Sequence, residues 1–374
     1  MSETQKHTKP NVPNLRFPGF SGEWESCRLS DIAEYRKERT AASQLTIETY
    51  ISTENMLSDY QGVAPALSIP VGGNVSAFYP GDVLLSNIRP YLKKVWQANV
   101  IGGCSTDVMV IKATKNVFDK FLYYIIANDT FINYAMAGAK GVKMPRGDKE
   151  QLMKYELAIP SIDEQYKIAS LLALIDQRIA IQNKVIEKYE SLIKALRRHI
   201  FSTIESEKEV TIADVLSYEQ PTKYIVSDTE YSDNNGLTPV LTANKAFILG
   251  YTEEVDGVYD KGPCIILDDF TLDSKIVDFP FKVKSSAIKI LSAKEAVSLR
   301  YIFEYLKFLN LNTEEHKRHY IAEIEPMTME LPDEATIRSI SNLFERADLR
   351  REGLERDLHL LEKQKDYLLR ALFI

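Results

Sequence analysis

The sequence predicts a mixed α/β (α+β) chain written twice, each copy an α/β domain followed by one long helix, with the two helices packed together as a coiled coil. Three observations predict it. Between residues 159 and 201, Ile168, Leu172, Ile175, Ile179, Gln182, Ile186, Tyr189, Ile193, Leu196 and Ile200 fall at steps of four and three, and all but Gln182 are apolar or aromatic: a heptad seam. A shift of 172 residues, without a gap, then lays Pro160 on Pro332, Asp176 on Asp348 and Phe201 on Phe373, and the seam returns as Ile340, Phe344, Ala347, Arg351, Leu354, Leu358, Leu361, Lys365, Leu368 and Leu372. Ahead of each seam the same succession of short apolar runs, a helical run and a basic loop recurs.

Taken in order, residues 1–23 are a polar docking segment ending in PNLRFPGFSGEW, whose prolines and glycines favour an extended path that seats its aromatics elsewhere. Residues 24–158 form the first domain and 206–331 the second. They open on RLSDIAEY (28–35) and TIADVLSY (211–218), where Asp31 matches Asp214 and a short helix capped by the residue before each aspartate is expected. ALSIP, GNVSAFYPGDVLLSNIRPYLKKVWQA and CSTDVMVIKA read as strands with a turn at 79–82; the second copy has KGPCIILDDFTLDSKIVDFPF and SSAIKIL, Gly81 matching Gly262.

Helical runs follow at 118–138 and 298–312, with Phe121 and Leu122 matching Tyr301 and Ile302. The long helices occupy 159–205 and 332–374, and a helix from Asp163 to Thr203 is roughly 60 Å long at 1.5 Å per residue. A stripe so narrow needs a partner, which the other copy supplies; Gln182, Arg351 and Lys365 interrupt it and are candidates for fixing register.

At 374 residues and 45% hydrophobic, the chain can build two or three cored domains. Its apolar runs are too short for a membrane span and the N-terminus carries no secretion signal, so a cytoplasmic location is expected. Cys27, Cys104 and Cys264 have neither paired number nor metal spacing, which favours reduced structural thiols. The net charge of −7 is uneven: residues 24–158 hold 15 basic and 14 acidic side chains, residues 206–331 hold 13 and 22. Any DNA contact must then come from local basic loops with help from partners.

Catalytic patterns are sparse. No P-loop occurs, so ATP binding by this chain is not expected. DFPF at 278–281 departs from an amino-methyltransferase tetrapeptide at Phe279; Asp269, Asp273 and Lys275 read as a charged hairpin turn more readily than as a nuclease; His316 and His319 lack a third metal ligand. No catalytic or metal residue is assigned. Basic loops interleaved with polar and aromatic residues carry more: Asn87, Arg89, Tyr91, Lys93 and Lys94 at 86–94; Lys140, Lys143 and Arg146 at 138–149; Asn244 and Lys245 at 242–251; Lys317 and Arg318 at 316–320. Arginine and asparagine can bond guanine and adenine edges in pairs, while lysine neutralises phosphate.

This plan resembles the specificity subunits of type I restriction-modification systems, on LRFPGFSGEW, PGDVLLSNIRPYLKK, CSTDVMVIK, IPSIDEQYKIASLLALID and LTANKAFILGYT. The resemblance implies two target recognition domains, each reading one half of a split double-stranded DNA sequence, with two antiparallel helices as spacer and a pseudo-two-fold repeat. It implies no catalysis in this chain and two kinds of partner: two modification (methyltransferase) subunits that use S-adenosylmethionine, and restriction (translocase and nuclease) subunits that use ATP and magnesium. The second helix departs from the pattern, beginning PDEATIRSIS without the Glu-Gln pair, and the second domain is unusually acidic. The competing classes are a metal-dependent nuclease and a protein-binding scaffold built on a coiled coil.

Overall fold

A computed structural model describes residues 11–141, 143–243, 246–294, 297–311, 313 and 317–374. The chain divides into two compact units, residues 1–182 with 358–374 and residues 183–357. Their bounds fall within the long helices, Ile162–Thr203 and Glu334–Leu372, rather than at the helix ends.

In unit 1, strand Glu25–Arg28 pairs antiparallel with Glu156–Ile159, which closes the domain just before the long helix. A four-stranded antiparallel sheet follows in the order Ala33–Tyr35, Val108–Ala113, Val83–Ser86, Val95–Gln97, and a second sheet runs Arg39–Ala41, Asn74–Phe78, Gly102–Cys104, Tyr50–Ile51. Unit 2 repeats the plan. Lys208–Thr211 pairs with Thr328–Leu331, and the larger sheet runs Leu216–Glu219, Ile288–Ala293, Cys264–Asp268, Ser274–Val277, the same chain order as its counterpart. The third sheet element, Ile248–Thr252, Thr238–Leu241, Lys282–Val283, is smaller. Gly81 and Gly262, 181 residues apart, both sit at left-handed φ (93° and 97°) in the turn before the strand they introduce, a conformation that costs a side-chain-bearing residue dearly.

Several expectations are corrected. ALSIP forms no strand; Ala66 bonds the carbonyl of Ile47 and packs under the second sheet, while Leu67 and Val71 stand in solvent. SNIRPYLKK is no strand beyond Ser86 but a tight turn. The run 118–138 breaks into Asp119–Ile126 and Asp129–Ala137, because the Asn128 side chain accepts the Thr130 amide and starts a new helix. The short opening helices, Leu29–Ile32 and Ile212–Val215, start at Arg28 and Thr211 rather than at the residue before each aspartate. Both of those amides donate to the aspartate three residues on, and only Thr211 also accepts the aspartate's amide to complete a capping box.

The long helices follow the heptads. Every predicted seam residue is buried or half-buried, while the flanking Leu174, Ile181 and Leu192 are exposed. In unit 1, Ile168, Leu172 and Ile175 share one core with Leu368, Leu369 and Leu372 and with the domain residues Phe121, Leu122 and Tyr124. In unit 2, Phe201 shares a core with Ile337, Ile340, Phe344, Tyr301 and Ile302. Within each unit, therefore, the start of one long helix lies beside the end of the other, and both complete the domain's own core. The interrupting residues find ionic partners, Lys365 on Asp176 at 2.7 Å and Arg351 on Glu355 at 2.7 Å.

Among the described residues, the docking segment packs on unit 1. Leu15 donates its amide to Ala371, Phe17 packs on the core, and Arg16 makes two 2.8 Å bonds to the buried carboxylate of Glu164. Gln165 spans Pro160 O and Phe118 N. Thr336 and Ile337 occupy the matching places in the second helix, which starts instead on an Asp333 cap and has no such segment to receive. The missing Glu-Gln pair follows from that difference.

Two outcomes test this packing. Leu172→Ala (0% exposed) should destabilise unit 1 by about 3 kcal/mol, against about 0.5 kcal/mol or less for Leu174→Ala (58% exposed), read from denaturant unfolding. Burial pushes the Cys104 and Cys264 thiols up to about 12 and, with Asp31 and Glu25 adding, Cys27 to about 11, so thiol reagents at pH 8 should label the native chain slowly and the unfolded chain fully.

Candidate nucleic-acid interface

In unit 1 the two basic loops singled out in the sequence come together. Arg89 donates its amide to Pro145 O at 2.8 Å, Gly147 donates to Asn87 O at 3.0 Å, and Lys140 and Arg146 exchange backbone bonds at 2.9 Å. Residues 86–94 are shaped by the short helix Pro90–Leu92, held between two non-glycine residues in left-handed conformation, Arg89 (φ 51°) and Lys93 (φ 52°). Such conformations persist where surrounding structure imposes them. Here that structure is Asp59 and Tyr60, whose amides bond Leu92 O and Lys93 O, both at 3.0 Å. Pro90 is buried beneath the turn and Tyr91 is 48% exposed at its tip.

The cations divide into two groups. Lys93 is 2.9 Å from Asp129, which also accepts the Tyr60 hydroxyl; Lys94 donates to Thr53 O at 2.7 Å; Lys140 bonds Asp148 at 2.7 Å. Burial opposes ionisation of Asp129, but the Lys93 and Tyr60 bonds outweigh it and hold its carboxyl below the usual range. Asp148 is held down by Lys140 and by the Gln151 amide of the helix it caps. Arg146 lies 3.2 Å from Asp107 with its side chain still half in solvent. Arg89 and Lys143 are exposed and have no ion-pair partner among the described residues.

Unit 2 builds the equivalent place on Asp269. Its amide bonds Ala287 O at 2.8 Å and its carbonyl accepts from His319 at 3.1 Å, the same two backbone bonds that Asn87 makes with Asp107 and Gly147. The side chains differ. Asp269, 1% exposed, accepts the His319 and Tyr320 amides at 3.0 and 2.7 Å and faces Lys289, also 1% exposed, at 3.3 Å. Asn87 Oδ1 is buried without a hydrogen-bond partner.

Arg318 lies over the Phe270 ring at 5.9 Å, and Lys317 is 2.9 Å from Glu323, whose carboxyl His319 and then Lys317 hold below its usual range. His319 is bonded at both ring nitrogens, to Thr313 and Glu323. Asn244, Lys245 and His316 lie outside the described residues. Among the described residues, no group of three or more His, Cys, Asp or Glu side chains is placed to hold a metal ion, and no helix is long and apolar enough to cross a membrane.

Sequence reasoning missed Thr53, Asp59, Tyr60 and Asp129, which hold the turn at 86–94 in place. Three of them act through backbone groups or at left-handed φ, and no residue pattern announces that. Chemically, an exposed guanidinium, an exposed phenol and a lysine on a pinned turn suit a polyanion with flat, hydrogen-bonding edges.

Removing Asp269 leaves Lys289 buried and unpaired. Asp269→Ala should therefore lower unit 2 stability by about 3–5 kcal/mol, whereas Asn87→Ala should cost unit 1 about 1 kcal/mol or less, compared by thermal unfolding of the two variants.

Comparison with known proteins places these features. Residues 21–191 match the family described as Type I restriction modification DNA specificity domain. The specificity subunit of the type I restriction enzyme EcoR124I/EcoR124II of Escherichia coli is 42% identical over 127 residues, 32% of this chain and 31% of the relative. That of EcoDI, also from Escherichia coli, is 23% identical over 168 residues, 44% and 37%. That of MjaVIII from Methanocaldococcus jannaschii is 24% identical over 200 residues, 50% and 43%. The chain thus spans between about a third and under a half of the length of these curated relatives. Two solved structures share the fold: a type I restriction-modification S subunit from M. genitalium (TM-score 0.65, 15% identity, 97% of this chain and 99% of that one) and a chain from a study of type I R-M complex assembly (TM-score 0.57, 14%, 93% and 97%).

Proposed function

We propose that this chain is a specificity subunit of a type I restriction-modification system and reads a split double-stranded DNA sequence, one half with each α/β domain; the match of residues 21–191 to that family's DNA specificity domain supports the reading. The observation that carries this reading is the convergence of loops 86–94 and 138–149 into one exposed patch bearing Arg89, Tyr91 and Lys143. Arg89 reads a base edge, Tyr91 packs on a sugar or base, and Lys143 and Arg146 engage phosphate. Lys93, Lys94 and Lys140 shape the loops from within, their charges satisfied by Asp129, Thr53 O and Asp148. In the second domain the equivalent face carries Arg318 stacked on Phe270, with Lys317 beside it.

On this reading the two long helices act as an antiparallel coiled-coil spacer whose length sets the gap between half-sites, at about 3.4 Å of duplex per base pair. The chain itself performs no chemistry. Two methyltransferase subunits bring S-adenosylmethionine, and restriction subunits bring ATP and magnesium. The acidic second domain makes partner contacts to DNA necessary, because its own counterion release is small.

Sequencing that detects adenine methylation, in cells expressing this chain with its modification subunit, should find one split motif. Methylation at no motif, or magnesium-dependent cutting by the chain alone, sinks the reading. In a gel shift of the complex, Arg89→Ala should weaken binding about tenfold or more and relax one base in the half-site read by residues 24–158. Lys94→Ala should lower melting temperature while leaving the bases read unchanged.

A further inference from the structure

One polar contact recurs at the same place in both units. In unit 1 the hydroxyl of Tyr124, on domain helix Asp119–Ile126, donates to Asp176 of the first long helix at 2.6 Å, and Lys365 of the second long helix lies 2.7 Å from the same carboxylate. In unit 2 the residue 172 positions on, Asp348, receives Arg300 of the counterpart domain helix Leu299–Leu309 at 2.5 Å. Arg300 also bonds Phe344 O at 3.1 Å and lies 2.7 Å from Glu304, which is 0% exposed and accepts Arg197 of the first long helix at 2.7 Å. A domain helix and both long helices thus meet at a carboxylate-centred network in each unit, one built on tyrosine and lysine and the other on two arginines and a glutamate.

Apolar side chains pack beside these networks, Phe121, Leu122, Leu172 and Ile175 in unit 1 and Tyr301, Ile302, Ile340 and Phe344 in unit 2, with Arg351 also 3.7 Å from Asp348. Apolar helix faces tolerate sliding by a ridge or a turn, since one greasy contact replaces another. A specific polar contact does not, because sliding separates a charge or hydroxyl from its partner. Asp176 and Asp348 are part-exposed (side chains 30% and 36%), while Arg300 and Glu304 are buried. Fixing register is the best-attested use of such groups. The relevant slip is large on the scale of DNA. One helical turn is about 5.4 Å, or about one and a half base pairs.

We propose that Asp176 and Asp348 are positioning residues that lock each reading domain to its place along the long helices and so fix the width of the unread gap between half-sites. This rests on the specificity reading above and goes beyond it by naming what sets the gap to a single value. The bases read are unaffected, because these residues are on the rod side of the domain helices, not on the loops.

The test is Tyr124→Phe in the full chain, co-expressed with the modification subunit and read by methylation mapping, with Arg300→Lys as the matching change in unit 2. The expected result is unchanged half-sites with at least a tenfold rise in methylation at targets whose gap differs by one or two base pairs. Arg300→Lys, which keeps a cation from the domain helix on Asp348, should relax the gap less than Arg300→Met, which leaves Asp348 only Arg351 of its own helix at 3.7 Å. If the variants methylate the original gap alone, at whatever rate, the residues are merely structural and the inference is overturned; should Tyr124→Phe yield no complex, the Arg300 pair decides. A wild-type chain with no split motif removes the specificity reading itself, a distinct outcome.

Discussion

The burial of Ile168, Leu172 and Ile175 against Leu368, Leu369 and Leu372 is the interaction on which the rest depends. These side chains come from the middle and the C-terminal end of the sequence, yet Phe121, Leu122 and Tyr124 of the first domain need them to complete a core. Each buried leucine or isoleucine contributes about 1.5–3 kcal/mol, so the domain and the helix ends beneath it fold as one body. Unit 2 makes the same demand through Phe201, Ile340 and Phe344. A reading domain in this chain is consequently not a module resting on a rod. It includes part of the rod, and the Arg16 bond to Glu164 adds the N-terminal segment to the same closure in unit 1.

The same construction fixes the exposed cations of an acidic chain, the surface proposed to meet DNA. Most cations near the reading turn are consumed locally: Lys93 on Asp129, Lys140 on Asp148 and, in unit 2, Lys289 on Asp269 and Lys317 on Glu323. Such pairs shape loops, and at the surface they add little stability. Arg89, Tyr91, Lys143 and Arg318 remain presented on backbone that the paired residues have fixed. On the proposed function, specificity would come from a few side chains on a fixed turn, and affinity from partners that supply the remaining positive charge.

What the sequence made legible follows from periodicity. Heptad spacing exposed both long helices to within a few residues of their ends, and the ungapped 172-residue shift laid Asp176 on Asp348 without showing what either contacts. What it hid was contact between distant loops and the chemistry of caps. ALSIP looks like a strand because its apolar residues are adjacent, but Ala66 alone is buried while Leu67 points out. The break at Asn128 depends on one side-chain bond that competes with a continuing helix. Lys365 was visible as an interruption of the seam, whereas its partner Asp176, off the seam by one position, was not. Asn87 and Asp269 were not recognisable as equivalents, since different side chains share only backbone bonds.

The most direct measurement inserts one heptad after Gln182 and one after Leu354, so that both long helices lengthen together and the added turns face each other. Seven residues add about 10.5 Å, or about three base pairs of duplex. Methylation mapping should then return the same two half-sites with the gap widened by about three base pairs. The same half-sites at the original gap would contradict the account.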